Sequence, residues 1–194
     1  MARTKAGGTP ATVALTEAGV QFNVHPYEHH PEAAAFGDEA AEALGVDRNR
    51  IFKTLVVDAG PELVVAVVPV ARQLDLKALA TAVGAKKVAL ADPRAATRSS
   101  GYVIGGISPI GQRSRLRTVV DSSIAGFPTV LVSAGRRGLQ VELAPADLLR
   151  VTQAMAAPIT IRRAPTSPEI MALRGIGFDY SNDEIEGFSP VRER

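Results

Sequence analysis

The sequence has no cysteine and no tryptophan, and aromatic residues make up only 5% of its 194 positions. Without cysteine there is no disulfide, no thiolate nucleophile, no zinc–cysteine site and no cysteine-ligated iron–sulfur cluster. Such a chain fits a reducing cytosol. Long apolar runs are also missing. The most apolar stretch, Glu62 to Ala71, falls well short of the about 20 residues that a membrane-spanning helix requires. Met1 to Leu15 holds no apolar run of signal-peptide length. The expectation is a soluble, cytoplasmic protein. Nor does one sign of charge dominate. The net charge of +2 divides into +5 over residues 1–164 and −3 over residues 165–194. A modestly basic body can meet a polyanion but falls short of a DNA-binding balance, so neither DNA nor a membrane is an expected partner.

What is present is an ordinary globular composition, 46% apolar and 22% charged, sufficient for one substantial core. Thr9-Pro10 reads as a helix start, with threonine as cap and proline in the first helical position, and Gly19 as its stop. Gln21 to Tyr27 reads as extended, and Asp38 as the cap of a short helix, Glu39 to Leu44, closed by Gly45. Two β-branched runs, Ile51 to Asp58 and Glu62 to Val68, flank Ala59-Gly60-Pro61 and predict a hairpin. Asp75 and Asp92 read as caps of two further helices. Thr118 to Asp121, Thr129 to Ser133 and Leu139 to Leu143 read as strands. Pro145 opens a helix to about Met155, and Ile159 to Ile161 makes one more strand. Hairpins with helices between and around them predict an α+β fold with a mixed, largely antiparallel sheet. Residues 1–8 read as a flexible N-terminus. Residues 164–194, with Pro165, Pro168 and Pro190, read as a poorly ordered extension.

Several catalytic signatures fail on inspection. Gly106 to Gly111 has the glycine spacing of a phosphate-binding loop, but Gln112-Arg113 stands where lysine and a hydroxyl are required. Ser108 is no hydrolase nucleophile, because Ile110 replaces the second glycine and Pro109 has no N–H for an oxyanion hole. His25, His29 and His30 have no one-face metal spacing, so no metal or other cofactor is expected.

Three features survive. Lys53 lies in Ile51-Phe52-Lys53-Thr54-Leu55 and shares a strand face with Ile51, Leu55 and Val57. An ammonium there is either the floor of a cleft, calling for an anion, or a snorkelling surface lysine. Two glycine-bearing turns, Gly105-Gly106 and Ser133-Ala134-Gly135, permit close approach of backbone to a ligand.

The stretches that carry these features keep a recognisable order over about residues 9–160. They are Thr9-Pro10-Ala11, His25-Pro26-Tyr27-Glu28-His29, Phe36-Gly37-Asp38-Glu39, Phe52-Lys53-Thr54-Leu55, the run Gly101 to Gln112, and Ser133 to Leu139. Together they resemble the YbaK family of bacterial Cys-tRNA(Pro) deacylases, related to the editing domain of prolyl-tRNA synthetases. The resemblance implies a deacylase domain over residues 9–163 whose sheet is partly closed like a barrel and flanked by helices. It implies that the protein works in trans, with misacylated tRNA and prolyl-tRNA synthetase as partners, removing cysteine from tRNA(Pro). Alternatives are a deacylase for alanine or serine, or a non-catalytic module that binds the synthetase or tRNA. The implied chemistry uses the substrate's own thiol, so that orientation and charge stabilisation suffice. Carried over by position, Lys53 is the essential lysine. Tyr27 and Phe36 are pocket aromatics, with Thr54 beside Lys53. Gly105, Gly106, Ser108 and Pro109 form one substrate loop, and Ser133 and Gly135 the second. Ala134 departs from the glycine common in that loop.

Overall fold

The computed structural model describes residues 8–30 and 35–161. The segment expected to be flexible, residues 1–8, lies outside the described residues except for Gly8, and the expected extension at 164–194 lies wholly outside them. The helices are α1 (Pro10–Glu17), α2 (Phe36–Leu44), α3 (Leu76–Val83), α4 (Pro93–Ser100) and α5 (Pro145–Thr152). The strands are β1 (Phe22–Pro26), β2 (Ile51–Asp58), β3 (Leu63–Pro69), β4 (Ala89–Leu90), β5 (Arg117–Asp121), β6 (Val130–Ser133), β7 (Leu139–Leu143) and β8 (Met155–Ala157).

Local chemistry explains most boundaries. Thr9 closes a reciprocal cap on α1: its hydroxyl accepts from the Thr12 N–H at 3.2 Å, and the Thr12 hydroxyl accepts from the Thr9 N–H at 2.9 Å. Asp75 and Asp92 cap α3 and α4 through the N–H groups two and three residues on. Helix α2 differs from expectation. It begins at Phe36 behind an Ala35 with no side-chain cap, so Asp38 sits in the first turn rather than at the cap. Asp38 instead meets Arg48 at 2.5 Å in an exposed ion pair. Helix α5 stops at Thr152, and Gln153 takes the left-handed conformation that ends it. Met155 therefore begins strand β8 instead of ending the helix. Ile159 to Ile161, expected as a strand, holds one isolated bridge, Leu74 with Thr160. Its ladder position beside β5 is already filled by β8. Ile159 is nonetheless buried in the cluster under α3, with Val57, Leu79 and Val119, and its N–H donates to Asp121 Oδ2 at 3.0 Å.

The sheet runs β1-β7-β6-β2-β3-β5-β8, with β4 pairing β2 off that path. It is mixed: β1–β7, β6–β7, β2–β3 and β2–β4 are antiparallel, whereas β2–β6, β3–β5 and β5–β8 are parallel. The expected partial closure does not occur. Among the described residues β1 and β8 end the path without pairing each other, and helices cover both faces of an open sheet, which is how parallel crossovers are accommodated. One face, with Phe52, Val65 and Val132, packs on Leu15 of α1 and Leu148 of α5. The other packs Val57, Val64 and Val68 under Leu79 of α3, and Ile51 and Leu131 under Ala40 and Ala41 of α2. Central β3 is buried from Val64 to Pro69 because both faces are covered.

Candidate functional site

The site begins with an interruption in the sheet. Strand β2 is lined by β3 along one edge, from Phe52 to Asp58. The other edge is shared. β6 pairs only Ile51 and Phe52, and β4 pairs only Val57 and Asp58. Between them, Lys53, Thr54 and Leu55 have no strand neighbour on that side among the described residues. Arg50 and Val56 both turn their carbonyls to this edge, accepting from Leu131 N at 3.1 Å and Ala91 N at 3.0 Å. By strand alternation Thr54 therefore turns its main-chain N–H and C=O toward the opening. Its buried hydroxyl has no hydrogen-bond partner. Thr54 and Lys53, adjacent in sequence, send their side chains to opposite faces.

Lys53 is half-buried on the α2 face. Burial lowers its pKa below the ordinary lysine value, the Asp38 carboxylate opposes that, and the Arg48 guanidinium adds to it. Ile51 and Leu131 are register partners, so the next positions on the same face are Lys53 and Ser133, where the two strands part. Ser133 in turn pairs Gln140 of β7, and Gln140 pairs His25 of β1. Lys53, Ser133, Gln140 and His25 thus form one polar row across four strands. Tyr27 extends β1 by donating its N–H to the Gly138 carbonyl at 3.0 Å and packs against the cluster beneath α2.

Two loops wall the opening. In the first, the Tyr102 hydroxyl donates to the Ile110 carbonyl at 2.7 Å, tying the ends of the glycine-rich segment. Burial pushes the Tyr102 phenol up to about 12. Gly105 has φ +86°, and a Cβ there would lie 2.8 Å from the Phe36 ring, so a glycine is required on both counts. Gly106 comes equally close to backbone: its Cβ would meet Arg136 at 2.9 Å. The first loop is thereby pressed against the second, Ser133 to Gly138, and Arg137 joins them. Arg137 Nε donates to the Ile104 carbonyl at 2.9 Å, and its guanidinium lies 5.0 Å from the Phe36 ring centroid. Gly135 lies against the Tyr102 ring, and its N–H donates to Ser133 Oγ at 3.3 Å.

Behind Phe36, His29 stands 5.7 Å from the ring and shares a 2.9 Å hydrogen bond with Glu39. Burial pushes the Glu39 carboxyl up, but the bonds from the His30 N–H and the His29 ring hold it, on balance, below its ordinary value. His25 engages Glu142 at 2.7 Å, so it and His29 serve different carboxylates.

Of the residues nominated from sequence, Phe36 and Gly105 meet directly, Gly106 meets the second loop at Arg136, and Tyr27, Lys53 and Ser133 share the α2 face. Gly135 stands over Tyr102. Ser108 and Pro109 are buried within the first loop. The Ser108 hydroxyl accepts from the Ile110 N–H at 3.2 Å, and its carbonyl accepts from Gln112 at 2.9 Å, so Ser108 shapes the loop. Three contributors were missed in sequence: Tyr102 as the post between the loops, Asp38 as the carboxylate near Lys53, and Gln140 on the floor. Gln140 alternates with core residues Leu139 and Val141 as a solvent-facing residue would, and only the fold buries it.

Comparisons with known proteins agree on one group. The family model for the aminoacyl-tRNA editing domain matches residues 30–151. A candidate Cys-tRNA(Pro)/Cys-tRNA(Cys) deacylase, EbsC of Enterococcus faecalis, is 42% identical over 128 residues, covering 64% of this chain and 77% of that protein. The multifunctional Ser/Thr-tRNA deacylase ProXp-y of Escherichia coli is 27% identical over 140 residues, covering 72% of this chain and 84% of that one. A crystal structure of a candidate trans-editing enzyme for prolyl tRNA synthetase superposes with TM-score 0.69 and 25% identity, over 79% of this chain and 96% of that one.

Proposed function

The chain belongs to the aminoacyl-tRNA editing domain family, and from that premise we propose that it is a trans-acting deacylase that clears misplaced cysteine from tRNA(Pro). The observation that carries this reading is the opening in the sheet at Lys53, a half-buried ammonium whose neighbour in register, Ser133, begins the glycine loop that presses on Gly106, next to Gly105 and Phe36. A cation there meets an anion: the terminal phosphate of the tRNA, or the oxyanion that develops when an ester carbonyl is attacked. Phe36 and Tyr27 offer rings to the terminal adenosine. The unpaired main-chain groups of Thr54 and the loop backbone at Gly105, Gly106 and Gly135 offer contacts to the aminoacyl group. Ser133 lines the same row.

The ester is activated by its own leaving group, so positioning supplies most of what is needed. The cysteinyl thiol, as thiolate, attacks its own carbonyl carbon, a C–S bond forms, the C–O bond to the ribose breaks, and the ribose oxygen takes up the proton. The products are a cyclic thiolactone and free tRNA. The relative named as a Ser/Thr-tRNA deacylase favours a second reading, in which water attacks hydroxyl-bearing aminoacyl esters in the same cleft. A pocket separates amino acids that differ by one methylene by only about 1–3 kcal/mol, so thiol participation is the sharper discriminant.

The test follows ester loss from Cys-, S-methyl-Cys-, Ser- and Ala-tRNA(Pro), with and without prolyl-tRNA synthetase. Rapid loss of the cysteinyl ester with a resistant S-methyl analogue is the expected result. Equal clearance of the seryl ester transfers the assignment to the water route, and clearance of none of the four removes the deacylase reading.

A further inference from the structure

Gln140 is 7% exposed, and its side-chain oxygen is buried without a hydrogen-bond partner. A buried carbonyl oxygen left unpaired costs about 1–3 kcal/mol, a penalty that folded proteins rarely retain unless a ligand removes it. Its position gives that orphan a meaning. Gln140 sits between Ser133 and His25 in the row that starts at Lys53, on the face covered by α2. Adjacent strands lie about 4.8 Å apart, which places Gln140 about 10 Å across the floor from the Lys53 backbone. A lysine side chain and one aminoacyl group span that distance.

We propose that the Gln140 carboxamide oxygen accepts a hydrogen bond from the α-amino group of the aminoacyl ester, making Gln140 a specificity-determining residue for substrates with a free α-amine. The inference rests on the aminoacyl-ester reading of the site. Of the neighbouring carboxylates, Glu39 is held by His29 and His30, and Glu142 by His25, Arg50 and Thr129, while Asp38, ion-paired with Arg48, lies off the row on α2. Gln140 is therefore the free acceptor in the row, and as a neutral group it serves an amine in either protonation state. The α-amine is also the one N–H donor that every aminoacyl ester carries next to its carbonyl. The acceptor thus selects aminoacyl esters, irrespective of side chain, over esters that lack the amine.

The experiment measures binding of two non-hydrolysable 3′-amide analogues of cysteinyl-adenosine, one with the α-amine and one without it. It also measures clearance of Cys-tRNA(Pro) and of 3-mercaptopropionyl-tRNA(Pro), which keeps the thiol and lacks the amine. Wild type, Gln140→Leu and Gln140→Glu are compared. Wild type should prefer the amine forms, and Gln140→Leu should lose about tenfold in affinity for the amine analogue while the des-amino analogue binds unchanged. Gln140→Glu, which keeps an acceptor, should retain the preference. A leucine variant that discriminates as wild type does, a glutamate variant that loses the preference, or a wild type that binds both analogues equally or neither overturns the assignment. Amine-selective binding without any ester clearance leaves this inference standing and removes the deacylase reading. Clearance with unaltered discrimination in both variants does the reverse.

Discussion

Two glycines with the same backbone requirement separate strain from steric fit at the level of single residues. Gly60 and Gly105 both have strongly positive φ, but a Cβ at Gly60 meets nothing within 4 Å, whereas at Gly105 it meets Phe36 at 2.8 Å. Gly60→Ala should therefore cost about 1 kcal/mol in stability through backbone strain alone, with activity untouched. Gly105→Ala should cost about 1–3 kcal/mol and also reduce deacylation, because Phe36 must shift. Denaturant melts and ester-loss rates on the pair check this, and equal effects at both sites would show that Phe36 is not held against the loop. Tyr102 gives a second case. Tyr102→Phe keeps the ring under Gly135 but removes the donor to the Ile110 carbonyl, so a loss of about 1–2 kcal/mol is expected, read by the same melts. Lys53 was legible as an anomaly, a cation in an apolar strand. Gln140 was not, because a polar residue alternating with apolar ones is what an exposed strand face also looks like.

Polar contacts join the core in holding the secondary-structure elements together, as Glu142 on β7 does. Its carboxylate accepts from the Thr129 hydroxyl at 2.6 Å and meets Arg50 and, at 2.7 Å, His25, linking β1, β7 and the entries to β2 and β6. The Thr129 hydrogen bond lowers its pKa, burial works the other way, and His25 and Arg50 join Thr129. A carboxyl whose folded pKa is depressed contributes stability above its unfolded pKa, near 4.5, and loses it as pH falls through the folded value. Glu142→Gln should thus destabilise the protein by about 2 kcal/mol near neutral pH, with the deficit shrinking below pH 4.5. Thermal melts at pH 3 to 7 check this, and a pH-independent deficit would contradict it. The elements most legible in sequence were those with local signals: the Thr9, Asp75 and Asp92 caps and the β2–β3 hairpin across Gly60. Those that escaped are short or conflicted. β4 is two residues long, β8 begins at Met155, where the α5 pattern was read onward, and α2 starts at Phe36 behind Ala35, which has no side chain to cap with.

Across the whole molecule the site is a product of topology. The opening at Lys53 exists because residues 89–90 and 130–133 share one edge of residues 51–58 without filling it. No local pattern announces such a pairing, which is why the α+β class was legible and the sheet's openness was not. The exposed Arg113, Arg115 and Arg136 flank the loops that bound this opening, and a nucleic-acid substrate should feel them. Arg113→Glu with Arg136→Glu should raise KM several-fold, and rising salt should weaken wild type more than the variant. A salt response identical in both would assign these arginines to solvent. The central claim is that Lys53, exposed by the gap in the sheet, serves the clearance of an aminoacyl ester. Its most direct test is the rate of cysteinyl ester loss from tRNA(Pro) with wild type and with Lys53→Ala, each shown to be folded by its melt. Rapid loss with wild type and a fall of 100-fold or more, roughly 3 kcal/mol, in the variant is the predicted result. Equal rates would contradict the account, because the cation at the opening would then have no part in the reaction.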